Sequence, residues 1–365
     1  MTTPKKQSEA RQLPLIDIRG SHREMGRQMG EACRQQVQHG VDNARRLLDD
    51  AYEHLQLTWS GAQIQARKYI PFAEERYPRY VEELKGIAEG ANASFDEVAI
   101  LNAMEAVTTD ALHLTKCTSM AVNQECTAND HVLLAHNEDW IPEDEPDVFI
   151  IHARPDDEPP FLAMTYGGLL PNIGFNAYGI AQCCDSVYPG DCRIGIPRLV
   201  VSRAVLSART PGQAIRSMVV AHRAAGYNHL LACQSGDMYN VEVSARRFAI
   251  LAAENGYLAH TNHYTDRAMS QLEAEPEELI NTRIRYHRAL RLLRQTSQHT
   301  VKTLQTIQRD HVNYPDSVCN HAIEGDPLDR EKTIVSLLID LTDFQLHAAW
   351  GNPCQSSYTT YQLEC

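Results

Sequence analysis

The sequence lacks any apolar run long enough to span a membrane. Met1 to Arg11 is polar and holds no apolar signal core, so secretion is not expected. Ten cysteines are present, yet no CxxC pair occurs and Cys183 and Cys184 are adjacent. That scatter does not fit a disulfide framework. Reduced thiols in a cytoplasmic compartment are the expectation. There is no P-loop, no GxGxxG and no GxSxG, which removes the common nucleotide-binding and serine-hydrolase signatures. Positive charge is also short. A formal net charge of −13 argues against a nucleic-acid partner and against an anionic membrane surface. Internal repeats and low-complexity tracts are missing.

What is present reads as a globular chain of 365 residues, enough for one large domain or two ordinary ones. Residues 1–12 read as a loose tail. Leu13 to Arg19 reads as a strand. Ser21-His22-Arg23-Glu24 is a capping box that opens a helix with Met25, Met29, Cys33 and Val37 on one face. A further helix runs through Val81 to Glu89, with Gly90 placed to end it. Ser94-Phe95-Asp96-Glu97 is a second capping box. The first 110 residues are thus mainly helical, and the character changes near Thr115. Short strands follow at Asp147–Ala153 and Phe161–Tyr166, both apolar on two faces and hence buried on two faces. Arg198–Ala208 reads as a helix, and Thr210 caps the next one. Strands resume at Asn228–Cys233, Met238–Val243 and Phe248–Ala252. Glu277–Gln295 is an Arg-rich helix, and Thr333–Leu341 with Phe344–Trp350 makes a last hairpin. Helices, strands, helices and strands in that order predict a layered α+β domain, not a doubly wound parallel sheet.

The chemistry gathers around Lys116-Cys117-Thr118-Ser119 and His136-Asn137-Glu138-Asp139-Trp140. Cys117 opens a strand-like run to Asn123. The polar stretch Gln124 to Asp130 reads as a loop, and His131 to Ala135 as the returning strand. A hairpin of this kind brings Asp139 close to Cys117. A cysteine at a strand start lacks the helix N-terminus that activates papain-type thiols. Cutting the Lys116–Cys117 bond would give it an α-amine of pKa about 7.7–8.0, a general base on the same residue. Asp139 could orient that amine, and the Asn262 amide is a suitable oxyanion donor. Other readings stand beside these. Cys117 can be a small buried hydrophobe. Asp139 and Asn262 can be turn or cap residues. His260 and His263 can pair with Cys117 or bind metal, although their spacing fits a zinc pair poorly.

Taken together, the motifs resemble the autoproteolytic acyltransferases related to acyl-CoA:6-aminopenicillanic acid acyltransferase, within the N-terminal nucleophile hydrolases. The resemblance rests on Gly20 to Gly26 with Met29-Gly30, Glu83 to Gly90, Cys117-Thr118-Ser119, Asn137 to Trp140, Gly174 to Gly179, His260 to His263 and Gly351 to Cys354. It implies a four-layer αββα fold and self-cleavage before Cys117. The products would be an α segment of residues 1–116 and a β segment of residues 117–365, forming one domain. It implies Cys117 as nucleophile, Asp139 as the family's carboxylate and Asn262 as the oxyanion amide, with Trp140 and Thr118 near the substrate. A small-molecule substrate is implied, with acyl-CoA admitted as a donor, and neither cofactor nor catalytic metal is expected. The family places Gly before the cysteine, where this chain has Lys116. Glycine eases the backbone rearrangement of an acyl shift, so an uncut binding or scaffold protein is the alternative. The family's downstream basic residue corresponds to Arg330 or Lys332.

Overall fold

The computed structural model describes residues 11–104, 116–323 and 331–364. Arg330 lies outside them. The strand-period runs pair into two sheets. Their strands are β1 (Leu15–Gly20), β2 (Lys116–Val122), β3 (Leu133–Trp140), β4 (Val148–Pro155), β5 (Phe161–Tyr166), β6 (Ile173–Asn176) and β7 (Ile180–Ser186). The chain continues with β8 (Tyr227–Cys233), β9 (Met238–Val243), β10 (Phe248–Ala252), β11 (Tyr257–His260), β12 (Lys332–Asp340), β13 (Gln345–Trp350) and β14 (Thr359–Gln362). One sheet has the order β1-β4-β5-β6-β7-β8-β9-β10, the other β11-β2-β3-β12-β13-β14. Among the described residues, only the β1–β4 strand pair is parallel. No helix among the described residues is long and apolar enough to cross a membrane.

Alternation along the strands builds the layers. On β4, Val148 and Ile150 face a core shared with Ala121, Leu134 and Leu337 of the second sheet. The intervening Phe149, Ile151 and Ala153 face the helical layer of Met25, Leu84 and Val201. On the far side, Met120, Val122 and Ala135 pack under Ala289 and Leu293 of the Ile280–Arg294 helix and Leu304 of the Val301–Gln308 helix. The arrangement is α+β with four layers, αββα, as the sequence led us to expect. Both faces of β4 and β5 are buried because each sheet lies between another sheet and a helical layer.

Two local expectations are corrected. The returning strand of the central hairpin does not stop at Ala135 but runs to Trp140, so the polar cluster lies inside β3. Gly90 does not end its helix. The helix Pro78–Ala91 continues past it, and Asn92 at φ 55° is the left-handed cap. Gly90 serves close approach instead. The helices His22–Ala32 and Pro78–Ala91 cross at Gly26, Gly30, Gly86 and Gly90. A Cβ on Gly90 would lie 2.1 Å from the Arg27 carbonyl oxygen, and one on Gly86 2.2 Å from that of Arg23. The crossing sets His22 against Glu83, at 2.6 Å from Nδ1 to Oε1. Arg203, fully buried, donates to Glu83 at 2.9 Å and to Glu158 at 3.0 Å. The amino-terminal helices are thereby tied to the Arg198–Val205 helix and to the turn after β4 through buried, mutually paired charges.

The crossing yields a first prediction. Gly90→Ala should destabilise the protein by at least the ~1–3 kcal/mol of an overpacked core, because backbone and not a flexible side chain must move. Gly212→Ala is the control. There a Cβ meets nothing nearer than the Arg216 guanidinium at 3.6 Å, and the change should stay within about 1 kcal/mol. Denaturant melts of the two variants against wild type check this; equal melts would refute it.

Candidate active site

The register of β2 and β3 builds the site. Cys117 lies opposite Glu138, Lys116 opposite Asp139 and Thr118 opposite Asn137. Residues facing each other across a ladder share a face of the sheet. Cys117, Ser119, His136 and Glu138 therefore point between the two sheets. Thr118, Asn137 and Asp139 point toward the helical layer. The carboxylate against the thiol is thus Glu138, with Sγ donating to Oε2 at 3.7 Å. The expected neighbour, Asp139, is one position further along β3 and on the other face. The sequence reading ended the strand too early and so left the register open.

β11 pairs with β2 only as far as His260 opposite Ser119. Beyond that point two side chains continue the ladder. The Cys117 N–H donates to Asn262 Oδ1 at 2.8 Å. The Cys117 carbonyl accepts from Arg285 Nη1. Arg285 also donates to Thr118 Oγ1 at 3.0 Å and to Asn262 Oδ1 at 2.8 Å. With both backbone groups of Cys117 turned away from β3, Cys117 and Glu138 form a non-hydrogen-bonded pair, in which side chains come closest. Asn262 Nδ2 donates to the Ser186 carbonyl at 3.1 Å.

A polar chain runs inward from the thiol through an otherwise apolar layer. Glu138 Oε2 meets His136 Nε2 at 2.8 Å, and His136 Nδ1 meets Ser119 Oγ at 2.9 Å. Ser119 donates to Asp185 at 2.7 Å. Tyr166 donates to Glu138 Oε1 at 3.2 Å. Burial, then the charges of Glu138, Asp185 and Asp139, pushes the Cys117 thiol well above its ordinary value, while Arg285 pulls it down. Burial lowers His136, but Glu138 and Asp185 outweigh it and leave the imidazole raised. Burial raises Asp185, but His260 and His136 outweigh it and hold the carboxyl low. Asp139 is pushed up to about 7 by burial, against the pull of Arg285 and the Thr333 hydroxyl. Its Oδ1 accepts from Thr333 at 2.6 Å, and its buried Oδ2 finds no hydrogen-bond partner among the described residues.

The remaining expected residues are placed as follows. Trp140 donates to Asp144 at 2.5 Å and lines an apolar cavity with Tyr166, Leu47, Leu101 and Leu199. Thr118 is fully buried under Arg285. Lys332 pairs with Glu145. Lys116 Nζ is 3.3 Å from Glu331 and 3.6 Å from Asp316. His260 is clasped between Asp185 and Glu242 and raised to about 9, because those two bonds outweigh burial. His263 meets the Thr261 and Thr282 hydroxyls. The His136 imidazole lies within 4.8 Å of the thiol. Glu138, His136 and Arg285 are the site residues that sequence reasoning passed over. Arg285 had a readable signal. It falls on the apolar stripe of its helix with Thr282, Ala289 and Leu293, where an arginine needs a buried partner.

Chemically, the arrangement offers a thiol with a carboxylate beside it, an amide and a guanidinium on the backbone of the same residue, and a free carboxylate oxygen one register position away. Comparison with known proteins gives the family. The acyl-transferase of Emericella nidulans named acyl-coenzyme A:6-aminopenicillanic-acid-acyltransferase 40 kDa form is 24% identical over 341 residues, 93% of this chain and 92% of its own. The Drosophila melanogaster beta-alanyl-dopamine/carcinine hydrolase is 25% identical over 257 residues, 64% of this chain and 65% of its own. Among solved structures, penicillin V acylase from Agrobacterium tumefaciens superposes with a TM-score of 0.47 at 15% identity, over 64% of this chain and 83% of that one. The sequence pattern of the acyl-coenzyme A:6-aminopenicillanic acid acyl-transferase family matches residues 126–355. The chain belongs to that family and is an enzyme of the amidohydrolase and acyltransferase kind.

Proposed function

We propose that the chain cuts itself between Lys116 and Cys117 and then acts on a small N-acyl amide or thioester through an acyl group carried on Cys117. The observation that carries this reading is the hold on the Cys117 backbone. Its N–H is bound by a side chain, Asn262 Oδ1 at 2.8 Å, while its thiol meets Glu138 at 3.7 Å. A strand residue normally spends its N–H on the neighbouring strand. Here the nitrogen is already seated where a free amine would need an acceptor.

In maturation, Cys117 Sγ attacks the Lys116 carbonyl carbon and its proton passes to Glu138. The C–N bond breaks, the nitrogen takes a proton, and the acyl group rests on sulfur. Water then releases the Lys116 carboxylate and frees thiol and amine. In turnover, the amine takes the thiol proton as sulfur attacks the substrate carbonyl. Asn262 has a second N–H to offer the oxyanion beyond the one given to Ser186. Asp139 Oδ2 is a second acceptor for the amine. Water resolves the thioester to an acid, and an amine resolves it to a new amide. The apolar cavity of Trp140 and Tyr166, next to Glu138, suits an acyl chain. Residues 1–116 and 117–365 stay together as one domain, held by Glu83, Arg203 and Glu158. The relatives' printed names, an acyl-coenzyme A acyltransferase and a beta-alanyl-dopamine/carcinine hydrolase, support this substrate class. One observation favours an uncut scaffold instead. Lys116, in place of glycine, is tethered by Glu331 and Asp316.

Denaturing mass spectrometry decides between them. Self-processing gives pieces ending at Lys116 and beginning at Cys117; Cys117→Ala stays whole, and Glu138→Gln is cut more slowly. A wild-type chain that remains full length after long incubation at neutral pH supports the scaffold reading.

For the processed enzyme, Asn262→Ala should lower turnover about 10²–10³-fold, the usual cost of an oxyanion donor. Turnover within a few-fold of wild type, on protein shown to be cut, would remove Asn262 from the chemistry.

The Asp139 carboxyl adds a pH dependence. Its folded pKa, about 7, lies above its ordinary value of 3.8. The fold therefore favours the protonated form, and that stability is lost as pH rises toward and through 7. In an uncut Cys117→Ala background, Asp139→Asn should gain melting temperature relative to its parent from pH 4 to 7 and level off above. Parallel curves would show that the carboxyl is ionised at its ordinary pH.

A further inference from the structure

Away from Cys117, two separate segments bring two histidines and two cysteines together. His311 follows the Val301–Gln308 helix. Cys319 and His321 lie further along the same loop, and Cys354 in the turn after β13. One ligand atom from each of the four lies within 4.8 Å of every other. We propose that His311, Cys319, His321 and Cys354 bind one zinc ion, in a structural site distinct from the catalytic centre.

The spacing is that of a coordination shell. His311 Nε2 and His321 Nε2 are 3.1 Å apart. Cys319 Sγ and Cys354 Sγ are each 3.5 Å from His321 Nε2. Around a tetrahedral zinc with Zn–N about 2.0–2.1 Å and Zn–S about 2.3 Å, the N–N edge is about 3.3 Å and the N–S edge about 3.5 Å. Hydrogen bonding alone accounts for these contacts poorly. An imidazole nitrogen carries one hydrogen or one lone pair, yet His321 Nε2 has three close neighbours. A cation at the centre, with the thiols ionised, satisfies all four donors at once.

The surroundings fit. Asn352 Nδ2 donates to Cys319 Sγ at 3.5 Å and to the Asn320 carbonyl at 2.7 Å, an outer bond of the kind that orients a thiolate. Arg309 donates to the Pro353 carbonyl at 2.8 Å and draws the same segments together. His311 is exposed and His321 and Cys354 half-buried, which leaves the metal a route in. Two nitrogens and two sulfurs select zinc over calcium or magnesium. Four protein ligands leave no open position, so the ion would staple and not react. What it staples is the loop over the catalytic centre. Asn320 N–H donates to Thr333 Oγ1 at 3.0 Å, and Thr333 donates to Asp139. Asn137 donates to the Val318 carbonyl at 2.7 Å, and Asp316 faces Lys116.

The test is elemental analysis of the full chain purified under reducing conditions and dialysed against zinc chloride, then against zinc-free buffer. One zinc per chain is expected in wild type and in Cys117→Ala. The second variant matters because Cys117, His136 and Glu138 also lie within 4.8 Å of one another. Cys354→Ser and Cys319→Ser should lose the ion. Asn352→Ala should weaken zinc binding about 10–100-fold. Should the buried Cys319 variant fail to fold, the exposed His311→Ala reports the same loss by competition with a chromogenic chelator. Cobalt(II) in place of zinc should give the intense visible bands of a tetrahedral thiolate site. A zinc-free wild type would overturn the proposal. So would an ion lost from Cys117→Ala but kept in Cys354→Ser, or a Cys319–Cys354 disulfide in the reduced preparation.

Discussion

Cys117 and Glu138 face each other across β2 and β3, and the chemistry of the site depends on that register. A slip of one residue would turn the thiol to the helical layer and bring Thr118 or Lys116 between the sheets. Apolar side chains prevent the slip. Ala121 and Leu134 belong to the inter-sheet core, while Met120, Val122 and Ala135 belong to the core under the helices. Both faces of the hairpin are buried, so either direction of slip would expose or clash a full set of side chains. Packing further along the hairpin therefore sets the position of the Cys117 thiol.

The second constraint is what to do with a backbone that outruns its partner strand. β11 stops at His260, and Cys117 is left with an N–H and a carbonyl facing an absent neighbour. Asn262 and Arg285 fill the gap. The same two groups lie where an amine and an acyl oxygen would be. The edge of the ladder is thus both a satisfied strand end and a chemical site. Around it, buried charge is neutralised locally. His260 lies between Asp185 and Glu242, and Arg203 between Glu83 and Glu158. Removing a single member of either set would strand an uncompensated charge.

Much of the fold was legible because its signals are local. The Ser94–Glu97 capping box is present as read, with Glu97 N–H on Ser94 Oγ and Ser94 N–H on Glu97 Oε2. Met238–Val243 and Phe248–Ala252 are strands at the limits read from their alternation and flanking turns. The errors came where a local rule met a tertiary demand. Gly90 looks like a helix stop, but it sits inside a helix because another backbone passes within reach of its missing Cβ. The polar cluster after Ala135 looks like the end of a strand, but it is strand, because its side chains have buried partners on both faces.

The sequence by itself determined the element types, the layered α+β class and the stretch of chain where the thiol, amide and carboxylates reside. Periodicity, caps and turn residues are properties of neighbouring positions, so one dimension suffices for them. Only the tertiary structure decided which carboxylate meets the thiol, since Glu138 and Asp139 differ by one register step and lie on opposite faces of β3. It alone brought Arg285 to Cys117 from 168 positions away and gathered His311, Cys319, His321 and Cys354 from two segments. Such contacts are fixed by how layers pack against one another, and no spacing along the chain encodes that distance.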